Sequence, residues 1–575
     1  MGAFWGLGVA GLFAARLSVP RAAALAAGLA VAGALLAIVG SRPPEAVHRT
    51  GLATAAAACG LLMPRVPEPT FFLLVPLLAA GLAWPFGTPP QDEKPLPRFT
   101  VPVLFVLAAV VFFLQAARRH WEFGSGGLDL GLFYQTQWLM AHGLPLQNTL
   151  LGMHPLADHM TVDDFLVAPF LTLHDDAETL LLFQAIAVAS AVFPLHAMGR
   201  RLLGQPRGAL ALPVLWLLAP DVHSGLLFDY NPTVTGAAAL LWCAWALALR
   251  GPVDVVVTTL LACGAKENIC LYVAVLALVM ALRLISWRRA TAVAALALGI
   301  FVVEMVVLFP RFRPGGFRHW EYAELGEGPR EVFATMLTRP DRDAALMWND
   351  PRKRRSLLQP LATTGYVMAA DPVSLVLQAP NWCERLLSTQ VTRWWGYYYG
   401  TPALATALVA LLLGWLKLQK AARAGPRLPA YLVACALMVG LVPPYDTHDG
   451  DHRSMMYTLR RPYAASAADV EAQRAAVAFV GHDPGLKVAA QHRLIPHLAG
   501  RPFIVGLDRA LEADVVALQL NGDTWPAGRP AWHRHVREVR ASGQFHVAFC
   551  RDQTVVLRRG DAPSVPCPSW EHLRW

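Results

Sequence analysis

Residues 101–117 read VPVLFVLAAVVFFLQAA, a run without a charged side chain. About 17–25 predominantly apolar residues in a helix cross the hydrocarbon core of a bilayer. Such a run restricts the fold severely. In hydrocarbon every backbone N–H and C=O needs a partner inside the protein, which leaves helices or closed barrels. Comparable runs lie at 3–17, 22–40, 50–63, 70–86, 178–199, 207–220, 234–250, 290–309, 401–416 and 429–444, and two shorter ones flank 266–268. Together they predict about 13 crossings. Charged residues make up 15% of the chain, against about 25% in soluble domains. The expected class is mainly α, a polytopic helical membrane protein with a small C-terminal α/β domain.

Three segments follow from the pattern. Residues 1–95 predict an N-terminal bundle of about four spans. Residues 96–445 predict a transmembrane core with external loops at 118–175 and 311–398. Residues 446–575 predict a soluble tail, because short β-rich runs (487–490, 502–506, 514–520, 545–549, 554–558) alternate there with helical stretches. The tail carries no glycine fingerprint for a nucleotide.

Lys and Arg accumulate in cytoplasmic loops during insertion. Three clusters qualify: Arg200, Arg201 and Arg207; Arg283, Arg288 and Arg289; Lys417, Lys420, Arg423 and Arg427. With these inside, the 118–175 loop, the 221–229 turn, the 311–398 region and the tail all fall outside. The expected location is the inner membrane, multi-pass, with the C-terminal domain extracytoplasmic. One cluster conflicts: Arg352, Lys353, Arg354 and Arg355 would also lie outside. The net charge of +9 reflects these loops and membrane lipid, and no nucleic-acid module accompanies it. Cys59, Cys243, Cys263, Cys270 and Cys435 lie in apolar runs and read as small packing residues. Cys550 and Cys567 are either free or, in an external tail, a disulfide.

Candidate chemistry concentrates in residues 118–165. Asp129 follows Gly124, Gly126 and Gly127 at the start of a helix expected over 130–142. It reads either as an N-cap or as a rigidly held catalytic carboxylate. His154, Asp158, His159, Asp163 and Asp164 form a second cluster. A proton-transfer or substrate-binding role for Asp158 with His159 leads over metal ligation. No cofactor is expected, and a divalent cation stays open. Asp229 lies in FDYNPT between two spans, where it or Asn231 either caps a helix or faces a site. Lys266 and Glu267 interrupt an apolar stretch of the kind where charge marks function; the alternative is a mutual ion pair. Glu304 is a weaker candidate. Arg352, Arg354 and Arg355, with Lys353, form either a phosphate-binding cluster or a solvated loop. Trp394, Trp395, Tyr397, Tyr398 and Tyr399 read as an interfacial aromatic belt.

These stretches together resemble a prokaryotic family of polytopic membrane proteins of unknown function. That family carries FDLGIFDQALW-, GDHFSP-, DFHPE-, CKED- and PNLLENLLS-like segments. The matching stretches here are 128–138, 157–165, 228–233, 264–270 and 379–388, and 489–505 is similar to the family's soluble end. Tyr134, Asn231, Thr233 and Asn268 depart from that pattern, which leaves Asp129, Asp158, His159, Asp229, Lys266 and Glu267.

The family in turn looks like the GT-C superfamily of membrane glycosyltransferases. The resemblance implies a polyprenyl-phosphate-linked sugar as donor, and a glycan, lipid or protein as extracytoplasmic acceptor. It also implies an acidic residue in the first external loop, the place that Asp129 occupies. Asp129, Asp158 and His159 are then the expected catalytic residues. Asp229, Lys266, Glu267, Arg352, Arg354 and Arg355 are expected to bind substrate. The alternative is a non-catalytic transporter of lipid-linked sugar, or a membrane scaffold.

Overall fold

The computed structural model describes residues 68–83, 96–315, 317, 319–394, 397–421, 427–441 and 466–573. The spans expected at 3–17, 22–40 and 50–63 lie outside the described residues.

Six described helices are long and apolar enough to cross a membrane: Thr100–Trp121, Glu178–Leu203, Gly208–Phe228, Pro232–Leu249, Trp287–Phe312 and Thr401–Lys420. Three shorter apolar helices accompany them, Pro252–Ala265, Ile269–Ala281 and Leu428–Gly440. Their boundaries follow from local chemistry. Ala219 is extended, with ψ at 135°, because the ring of Pro220 disfavours helical backbone in the residue before it. This breaks the Gly208–Phe228 span. Asn231 accepts from the Thr233 amide and Pro232 occupies the first turn, so a cap and a pre-set φ start the next helix together.

Thr401–Lys420 runs through the centre of the bundle. Its residues from Thr401 to Trp415 are buried without interruption. Trp216 and Trp415 are the bulkiest fully buried side chains. By contrast, Val103, Val106, Leu107, Val110 and Leu114 on one helix, and Val302, Val303, Val306 and Val307 on another, are exposed. Apolar side chains facing outward over whole helices fit hydrocarbon as the surrounding solvent.

Part of the region 311–398, expected as one external loop, packs against helices of the bundle. Helix Pro351–Thr363 packs on helices Glu68–Ala83 and Leu428–Leu441, and the chain returns through short helices Pro372–Gln378 and Ala379–Leu386. At the tip of this hairpin the fully buried Asp371 accepts two bonds of 2.8 Å from Arg283. It also receives Lys417 at 3.4 Å. Arg283 and Lys417 belong to two of the three basic clusters read as cytoplasmic. Arg283 follows helix Ile269–Ala281, whose other end adjoins Lys266. A 13-residue helix separates its ends by about 20 Å. The hairpin therefore traverses most of the bundle. At its open end Ser356 donates to the Trp394 carbonyl at 2.9 Å.

The tail forms a five-stranded sheet: β1 Val488–Ala490, β2 Ile504–Val505, β3 Val515–Gln519, β4 Phe545–Arg551 and β5 Thr554–Arg559. The order is β2-β1-β3-β5-β4, with β1 parallel to β2 and β3, and β5 antiparallel to β3 and β4. All five strands fall on the β-rich runs of the sequence. Cys550 and Cys567 are joined in a disulfide.

Candidate functional site

The glycines of GSGGLDLG are explained by what lies against them. The tail segment around His492 and Ile495 sits directly on the loop. A Cβ on Gly127 would meet Ile495 at 2.7 Å, and one on Gly131 would meet the same side chain at 2.7 Å. The Gly127 amide donates to His492 Nδ1 at 3.0 Å, and the Gly126 amide donates to Asp229 Oδ2 at 2.8 Å. Close backbone contact of this kind requires glycine. Thr149 extends the junction by donating to the Ile504 carbonyl at 2.6 Å.

Asp129 does not cap the following helix. It lies inside a π-helical turn, Gly127–Gly131, whose N-cap is Gly126. Such turns widen the helix and are frequent at functional sites. The turn leads into helix Leu132–Ala141 and leaves Asp129 partly exposed.

Asp129, Asp158, His159 and Lys266 line one cavity of about 160 Å³, with Leu128, Thr161, Asn231 and Tyr398 among the other walls. Lys266 and Glu267 stand in the break between helices Pro252–Ala265 and Ile269–Ala281. Contacts of Glu267 and Asn268 hold the break open. Glu267 Oε1 lies 2.9 Å from His159 Nδ1, and Glu267 Oε2 accepts from the Met160 amide at 3.0 Å. Asn268 donates to both oxygens of Glu384 at 2.9 Å. Lys266 Nζ stands 5.8 Å from the centre of the Tyr398 ring, a cation–π distance. Desolvation, and then the Lys266 ammonium, lowers the His159 imidazole below its ordinary range. Burial alone would raise the Glu267 carboxyl, but His159 and Lys266 beside it bring it down to about 2. The anionic Glu267 thus accepts at Oε1 from His159 Nδ1.

The nine expected site residues do not all face this cavity. Glu267 stands behind His159. Asp229 is buried at φ 129°, ion-paired with the buried Arg119 and bonded to Gly126, so it fixes the Asp129 loop from behind. Arg352, Arg354 and Arg355 lie on helix Pro351–Thr363, outside the cavity lining. Arg352 pairs with Asp350 at 2.8 Å. Arg354 donates to the Trp348 carbonyl at 3.1 Å, and Arg355 to Gln359 at 3.1 Å. Each of these basic residues thus has a local partner. Tyr134, at the departure from the family pattern, donates to Asp175 at 3.1 Å and abuts Gly500 of the tail.

Two members of the site escaped the sequence. His319 donates to or accepts from Asp158 Oδ1 at 2.8 Å and stacks on His159 with ring centres 4.5 Å apart. Its segment, FRHW, carries no periodic signal, and its role depends on a contact across 161 residues. Tyr398, expected in an interfacial belt, instead forms a wall of the cavity. A second cavity of about 420 Å³ opens where the loop meets the tail, lined by Leu128, His492, Asp508, Thr524, Trp525 and His535 among others. Leu128 is common to both cavities.

No curated protein matches the sequence. Among solved structures, ArnT from Cupriavidus metallidurans bound to undecaprenyl phosphate is similar at 13% identity and a TM-score of 0.49 over 82% of this chain and 100% of that one. The apo state of the same protein gives 12% identity and a TM-score of 0.49 over 81% and 99%. The family model described as "Predicted membrane protein (DUF2079)" matches residues 119–556, a stretch that holds both cavities, the broken helix and the tail sheet as far as the middle of β5, and the chain belongs to that family.

Proposed function

We propose that the protein is a membrane glycosyltransferase that moves a sugar from a polyprenyl-phosphate donor to an extracytoplasmic acceptor. The observation that carries the reading is the single cavity shared by Asp129, Asp158, His159 and Lys266. It places a carboxylate, a His–Asp pair and a cation around one small volume at the end of the bundle where the tail docks. The likeness of its family to GT-C enzymes, noted from the sequence, supports the same reading.

In this reaction the acceptor oxygen attacks the anomeric carbon as the bond to the phosphate oxygen breaks. Polyprenyl phosphate leaves with the electron pair, and Asp129 takes the acceptor proton. The Lys266 ammonium offsets the charge that develops on the leaving phosphate. The lipid tail of the donor stays in the outer leaflet beside the exposed apolar helix faces. The acceptor enters through the larger cavity under the tail, whose Trp525 is half exposed and offers a flat apolar face. In this reading the tail is extracytoplasmic, since it lies on the Asp129 loop.

The test uses purified protein, labelled polyprenyl-phosphate sugars and cell-envelope acceptors. Asp129→Asn is expected to remove transfer by about 10²–10⁴-fold, the usual contribution of a positioned base, with unchanged thermal stability. Transfer at the wild-type rate by that variant overturns the proposal.

A further inference from the structure

We infer that Asp158, His159 and His319 form a binding site for a divalent transition-metal ion of the zinc class. One potential ligand atom from each lies within 4.8 Å of the others. The three come from two separate parts of the chain. Asp158 and His159 lie in the loop before helix Asp164–Leu171, and His319 lies beyond helix Trp287–Phe312. Fold contacts, rather than a local sequence motif, bring them together.

Three features point to a metal rather than to a chance polar cluster. First, Glu267 engages His159 at Nδ1, which fixes the ring and leaves Nε2 as the ligating atom. Carboxylates orient ligating histidines in this way in metal sites. Second, His319 Nε2 lies 2.8 Å from Asp158 Oδ1 and its ring centre lies 4.5 Å from that of His159, so the two imidazoles and the carboxylate are already gathered beside the cavity. Third, two imidazoles and one carboxylate suit zinc or cobalt better than calcium or magnesium, which take oxygen ligands. Three protein ligands beside an open cavity leave a coordination position for an outside oxygen. Binding draws the ligand atoms inward, to about 2.0–2.2 Å from the ion.

The inference goes beyond the transferase reading and stands without it, because Asp129 is not among the ligands. The experiment titrates Co²⁺ into detergent-purified, chelator-treated full-length protein and follows the visible ligand-field bands. One equivalent is expected to bind. Asp158→Asn and His319→Gln are each expected to weaken binding by more than about 10-fold, and Glu267→Gln by about 10–100-fold, the range for residues that support metal ligands. Melting temperatures without metal show whether each variant is folded. X-ray absorption of the zinc-loaded wild type is expected to show imidazole scattering, which gives a readout independent of any variant. Absence of bands in the wild type, equal affinity in folded Asp158→Asn and His319→Gln, or a spectrum without imidazole overturns the inference. None of these outcomes bears on whether Asp129→Asn abolishes transfer.

Discussion

The Arg119–Asp229 ion pair sets up the sharpest energetic test of how the Asp129 loop is held. The side chains are 8% and 2% exposed. Asp229 also accepts from the Gly126 amide and sits at a φ that L-residues rarely adopt. Removing one member of a buried pair strands the other charge and costs about 3–5 kcal/mol. Replacing both with apolar residues of similar volume leaves no stranded charge and is often near neutral. Asp229→Asn is therefore expected to destabilise by about 3 kcal/mol, since the amide keeps an acceptor for Gly126 while Arg119 loses its counter-charge. Arg119→Met is expected to cost at least as much, because the carboxylate then lies buried without its cation. The double variant is expected to be more stable than the sum of the singles by about 2 kcal/mol or more, the scale of coupling between residues in contact. The assay is reversible denaturation in detergent, with proteolytic cleavage after residue 121 as a local readout of loop release. Additive losses in the double variant refute the reasoning, for they mean that the two charges do not need each other.

Two further outcomes follow from the geometry. Burial, opposed by Asp523 and aided by Arg493 and Arg119, lowers the His492 imidazole to about 4. Its folded value lies below the ordinary 6.5, so its contribution to tail docking is complete above pH 6.5 and is lost as the pH falls towards 4. The difference corresponds to about 3 kcal/mol. Fluorescence of Trp525, whose ring centre is 4.6 Å from that of His492, is expected to report undocking in this window, and a flat profile between pH 7 and 4 counts against it. The hairpin predicts that single cysteines at the exposed positions 349 and 369 label from opposite faces of a sealed vesicle. Labelling of both from the same face removes the hairpin from the account.

The sequence by itself determined the membrane class, because a helix must satisfy its own backbone in hydrocarbon and the apolar runs have the length to do so. It determined the tail strands as well, since each is a β-rich run bounded by turns. It also singled out Asp129, Asp158, His159 and Lys266, because charge next to apolar runs is costly unless it is used. It left undecided which charged residues face a cavity and which hold the structure. Asp229 and Lys266 look alike in a linear reading, yet one is consumed by Arg119 and the other opens onto the cavity beneath Tyr398. The hairpin of 351–386 escaped because its helices are short and polar at one end; what holds it in the bundle is Asp371 gripped by Arg283 and Lys417 from distant parts of the chain. His319 escaped for the same physical reason. A side chain's partners across more than a hundred residues are set by packing, and neither periodicity nor spacing records them. The loop glycines were visible, but their cause, the tail segment pressed against Gly127 and Gly131, belongs to the tertiary structure alone.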